Sequence, residues 1–154
     1  MTYVSGRAHC LEASFLAAAL LGQHGLPPLV LSLESDDFLD HVVFLFKQGD
    51  RWGSIGRSQH AGLQGRAPIF RTVRDLAWSY VDPYVDESAR VSGWAVVDLD
   101  ESQSNWRTSR NFLWEVEDFI TRKTHEPLRA SDQRHERVLT KYVEGIDLRR
   151  PYWW

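Results

Sequence analysis

The chain has 154 residues, 43% hydrophobic and 25% charged, which is an ordinary globular composition and enough length for one domain with a real core. A net charge of -3 gives no basic field, so nucleic acid is not expected as a partner. One cysteine excludes an internal disulfide and suits a reducing, cytoplasmic compartment, while Met1 to Arg7 lacks the apolar core of a signal peptide and the longest apolar stretch, Phe15 to Leu21, is too short to span a bilayer.

From Leu11 to Leu21 nearly every residue is apolar, and alanine and leucine are strong helix formers. The run predicts a helix buried on nearly all sides, stopped by Gly22 or Gly25 ahead of Pro27-Pro28. "LVLSLES" (29–35) reads as a strand, "DDFLD" as a polar turn and "HVVFLFKQ" (41–48) as a strong strand. Gly49-Asp50 turns the chain, and "RWGSIGRS" begins a third strand. Tight spacing of the three predicts an antiparallel meander packed on the helix. Residues 59–70, "QHAGLQGRAPIF", are rich in Gly, Ala and Pro and read as a surface loop. Thr72 to Tyr84 reads as a helix ended near Pro83, and "SGWAVVDLD" (92–100) as a further strand. "SRNFLWEVEDFITRK" follows as a helix with Ser109 at its N-cap, and the charged segment 132–144 as a surface helix.

Cys10 stands at the mouth of the first helix. A helix N-terminus favours negative charge through its free N–H groups and dipole, and so favours the thiolate, the reactive form of cysteine. His41 is the candidate base, because it opens a strand expected to lie against that helix. Asp40 beside it is a candidate for orienting the imidazole. The plain alternative is that Cys10 is a small buried apolar residue.

The string "GRAHCLEASFLAAALL", then "DHVVFLF", then "DRWGSI" resembles the core of the transglutaminase-like, papain-like cysteine hydrolase superfamily. With "GLQGR.P.FRTVRDL..SYVDPYV" it is also similar to a group of bacterial transglutaminase-like proteins, over at least Gly6 to about Leu128. The resemblance implies an α+β papain-like domain over 1–154, with a buried helix carrying Cys10 at its start, a small antiparallel sheet and additional C-terminal helices. It implies Cys10 as nucleophile and His41 as base, acting without a cofactor on a peptide or a small amide or ester. The third position departs from the pattern: counted from Trp52, the orienting aspartate falls near Gly56. Asp50, Asp40, Ser58 and Gln59 are the candidate substitutes. The resemblance further implies a helical segment upstream of the cysteine, where only nine residues stand. The backbone N–H of Cys10 and its neighbours would then form the oxyanion hole unaided.

Other features carry milder expectations. Trp52 and Trp78 could wall a cleft, and His9 could tune the thiol. His60 reads as a solvated loop residue. Glu12 on a buried helix calls for a partner among Arg7, Arg57, Arg66 and Arg71. Asp36, Asp37, Asp40 and His41 read as a solvated turn rather than a metal site, and no HExxH or CxxC spacing occurs. The rival to the enzyme is a non-catalytic scaffold that binds a partner or a second copy, with "PYWW" (151–154) as its dimerisation patch.

Overall fold

The computed structural model describes residues 7–38, 40–58, 60–84, 89–109 and 114–145, with the side chains of 7–9 and 61 outside the description. The upstream residues, Gln59, the His9 side chain and the "PYWW" end, on which several expectations rest, therefore lie outside the described residues. The described chain is a mixed α+β structure: one antiparallel six-stranded sheet with four α-helices.

Helix α1 (Arg7–Gly22) leads into β1 (Leu29–Ser35), β2 (His41–Gln48) and β3 (Arg51–Ile55). The two strands with strong β-branched and aromatic content form over the expected ranges, and the turn at Gly49 takes a φ of 61°, which glycine adopts without a Cβ penalty. Strand β4 (Arg66–Phe70) precedes α2 (Val73–Trp78), β5 (Val91–Asp98), α3 (Trp114–Thr121), β6 (Glu126–Pro127) and α4 (Asp132–Val143). The strands lie in the order β4-β3-β2-β1-β5-β6. The expected meander is thus the centre of a wider sheet.

β4 corrects the reading of 59–70 as loop. It pairs antiparallel with β3, Trp52 against Phe70 and Ser54 against Arg66. It lies at the sheet's edge, the place where Pro68 is tolerated in a strand, so a composition typical of loops is overridden by pairing with a neighbour. Helix α2 is shorter than expected, with Thr72 capping it by accepting from the Asp75 N–H at 3.0 Å. Ser109 precedes residues outside the description, while α4 forms as expected and buries only Val138.

The sheet is covered on both faces, which is why its central strands are apolar almost without interruption. Val30, Val42, Phe44 and Val97 pack under α1 and α3 with Leu11, Ala18, Val116 and Ile120. Leu31, Leu33, Val43 and Leu45 point the other way, onto Leu63, Leu76 and Tyr80. The strand period of two divides consecutive residues between two cores. Helix α1 is not buried all round. Ser14 and Ala18 are inside, Ala17 and Leu11 nearly so, whereas Leu16 is 61% exposed and Leu20 53% exposed. The helix rests on one face of one sheet, with solvent beyond it. Glu12 is exposed as well and needs no buried partner.

Candidate functional site

Cys10 lies in the first turn of α1 and is 3% exposed. The N–H groups of such a turn have no partner within the helix, so it is electropositive. One turn on, Ser14 ties the helix to the sheet. Its hydroxyl lies 2.8 Å from the Cys10 carbonyl and 3.0 Å from the Val42 carbonyl. Because β3 pairs with β2 only from Phe44 onward, the start of β2 is left open for this contact. The helix mouth and residues 40–42 are thereby held together.

Cys10 borders a small cleft of about 20 Å³, room for one water. Leu11, Ser32, Asp40, Val42, Glu117, Ile120 and Thr121 complete its lining. Asp40 also accepts from the Ser35 N–H at 3.3 Å. Ser32, the one polar residue inside "LVLSL", meets His125 Nε2 at 3.0 Å, and His125 Nδ1 donates to the Lys123 carbonyl at 2.8 Å. Neither Ser32 nor His125 was a sequence candidate. A lone serine inside an apolar strand was a signal, but a sequence separation of 93 positions hid the pairing.

His41 turns onto the α2 face of the sheet and is buried. Its Nε2 lies 2.8 Å from the Leu63 carbonyl, and its ring stands edge-on to Tyr80 with centroids 5.8 Å apart. A carbonyl only accepts, so Nε2 carries the proton and Nδ1 keeps the lone pair of the neutral ring. Burial drives the His41 pKa down to about 4; the Leu63 bond opposes this, and the charges of Arg66 and His60 reinforce it. The ring is neutral at pH 7.

Gly56 explains the absence of the expected carboxylate. A Cβ built there would sit 2.5 Å from Val43 Cγ1, so this backbone has no room for a side chain. Instead the chain runs on to the 3-10 turn Ala61–Leu63, and a main-chain carbonyl reaches the imidazole.

Of the substitutes named for that position, Asp40 lines the Cys10 cleft, whereas Asp50 and Ser58 have other surroundings. Asp50 is in the exposed β2–β3 turn beside Arg51, at 3.4 Å. Trp52 pairs with Lys47, six residues along β2 from His41, or about 20 Å at strand rise, and packs on the α2-side core rather than against the Cys10 cleft. Ser58 accepts from the His60 N–H at 3.1 Å and its carbonyl from Gln64 at 2.6 Å, so it shapes the loop rather than the imidazole. Trp78 also packs on the α2-side core, near Arg74 and Arg134. His60 is exposed, as a loop histidine should be.

Tyr84 closes the same end of the sheet. Its hydroxyl donates to Ser35 Oγ at 3.2 Å, and Ser35 Oγ donates to Asp37 at 2.5 Å. Burial pushes the Tyr84 pKa up to about 12, opposed by the Ser35 bond and helped by the negative charges of Asp37, Asp40 and a Cys10 thiolate. Asp36 pairs with Arg129 at 2.8 Å. Among the described residues, no group of three or more His, Cys, Asp or Glu side chains is placed to hold a metal ion, and no helix is long and apolar enough to cross a membrane. No protein-family model matches the chain.

Proposed function

We propose that the protein is a cysteine–histidine hydrolase or acyl transferase of transglutaminase-like, papain-like type, acting on an amide or ester. The observation that carries this reading is the tautomer of His41: its Nε2–H is bound to Leu63, and Nδ1 is the atom left to take a proton, at a strand start held against the Cys10 helix turn. Cys10 Sγ would attack the substrate carbonyl carbon as its proton passes to Nδ1. The N–H groups of the first turn of α1 would stabilise the oxyanion. Collapse expels the amine or alcohol, which takes the proton from the imidazolium, and leaves an acyl thioester. Water, or an acceptor amine, then releases the acyl group and restores the thiol. Burial keeps His41 neutral, so the imidazole is able to take the thiol proton as the attack proceeds.

Alkylation of Cys10 by iodoacetamide tests the pair directly. His41→Gln keeps an N–H for the Leu63 carbonyl and removes the base. At pH 7 the wild type should react at least about tenfold faster than His41→Gln, because the neutral imidazole takes the thiol proton as the sulfur attacks the reagent. Equal rates for the two proteins at pH 7 would overturn the reading.

A non-catalytic scaffold is the second reading. The small volume of the Cys10 cleft favours it, as do the exposed Leu16 and Leu20, one turn apart on α1. A concentration-dependent dimer in sedimentation, lost in Leu16→Glu, together with a His41-independent thiol would establish it.

A further inference from the structure

The loop that brings the Leu63 carbonyl to His41 has little apolar content of its own. Leu63 is its one large buried side chain among the described residues. What gathers it is Arg66, the first residue of β4, which is fully buried. Nη2 donates to the Gly62 carbonyl at 2.7 Å and the Ser79 carbonyl at 3.3 Å. Nη1 donates to the Gln64 carbonyl at 2.7 Å and the Gly65 carbonyl at 3.5 Å. Nε donates to Ser79 Oγ at 3.0 Å. The guanidinium lies over the Tyr80 ring, 3.9 Å from its centroid, and the Tyr80 hydroxyl donates to the Gln64 carbonyl at 3.0 Å. Tyr80 is the ring that stands edge-on to His41.

Carbonyls 62, 64 and 65 therefore turn to one planar cation, and carbonyl 63, between them, turns to the imidazole. Burying a guanidinium is costly unless its donors are satisfied, and a satisfied buried network rigidifies what it binds. A planar fork of five donors can bind several carbonyls at fixed angles, whereas an ammonium is a point charge. We propose that Arg66 is a positioning residue for His41: by collecting the carbonyls of Gly62, Gln64 and Gly65 it fixes the Leu63 carbonyl against Nε2–H, and so fixes Nδ1 as the nitrogen that accepts a proton. This rests on the reading of His41 as the base, but its test does not.

The test is nitrogen NMR of the His41 ring in the full-length, ¹⁵N-labelled protein at neutral pH. The wild type should show widely separated ring-nitrogen shifts, with the proton on Nε2. Arg66→Lys should bring the two shifts towards each other as the tautomers mix. Ser79→Ala, which removes a single acceptor of Nε, should give a smaller change of the same sense and serves if Arg66→Lys does not fold. Val138→Ala, in α4, is the control for general loosening and should leave the separation intact. A wild-type separation in folded Arg66→Lys, or in Ser79→Ala where that variant alone folds, would overturn the proposal. So would an equal change in Val138→Ala. Alkylation that ignores His41 would remove the enzyme reading and leave the role of Arg66 to be decided by the ring shifts alone.

Discussion

At the scale of single residues, the proposed chemistry would depend on where His41 is allowed to put its proton. The native ring titrates near 4 because it is buried, against 6.5 in an unfolded chain. Between those values the unfolded state binds the proton and the native state does not. Stability from this group is therefore complete above pH 6.5 and is lost as pH falls towards 4. At pH 4.5 the loss from His41 should be about 2–3 kcal/mol, from about 1.4 kcal/mol per unit of pKa difference. Urea unfolding of wild type and His41→Gln at pH 7 and pH 4.5 measures it: the wild type should lose about that much more than the variant. Equal losses would mean that the ring is hydrated in the native state. Ser14 is the other single residue on which the site's geometry depends. Ser14→Ala strips the Val42 carbonyl of its helix-side partner and should cost about 1–3 kcal/mol in thermal or urea unfolding. A neutral result would mean that water replaces the hydroxyl.

At the scale of elements, the local signal was strong where the chain carries its own pattern. β1 and β2 could be read because their branched and aromatic runs are fixed by neighbours in sequence. β4 could not, because Gly, Ala and Pro say loop and only the pairing with β3 makes residues 66–70 a strand. Cys10 at a helix mouth and His41 at a strand start were legible as residue types in a pattern, and so was the want of a carboxylate near Gly56. The Leu63 carbonyl was not legible, since every residue has one and only the path of the loop selects it. Gly65 shows how closely that path is constrained, and Gly22 supplies the contrast. A Cβ on Gly65 would press on the Ser54 carbonyl oxygen and lie 3.2 Å from Ile55 Cα, both backbone atoms. Gly65→Ala should therefore destabilise by about 1–3 kcal/mol, as overpacking does. It should also disturb the His41 ring shifts by moving the loop. Gly22, at the end of α1, has open space around its Cβ position, and Gly22→Ala should be neutral or stabilising by up to about 1 kcal/mol. Equal unfolding midpoints for the two variants would show that the loop yields more easily than its contacts suggest.

At the scale of the whole molecule, one sheet separates two cores, and the candidate residues are divided between its faces at the start of β2. The cleft belongs to the α1–α3 side and the oriented imidazole to the α2 side. The chemistry proposed for Cys10 would therefore depend on the two layers keeping register across the sheet, while their packing energies should be nearly independent. Leu33 lies in the α2-side core and Ile120 in the α1-side core. Leu33→Ala should cost about 2–5 kcal/mol and Ile120→Val about 0.5–1.5 kcal/mol. Because the two belong to separate cores, the double variant should lose their sum to within about 0.5 kcal/mol, in a single unfolding transition. A larger coupling would mean that side chains on one face repack when the other is cut. The sheet would then transmit changes between the cleft and the imidazole instead of only holding them in place.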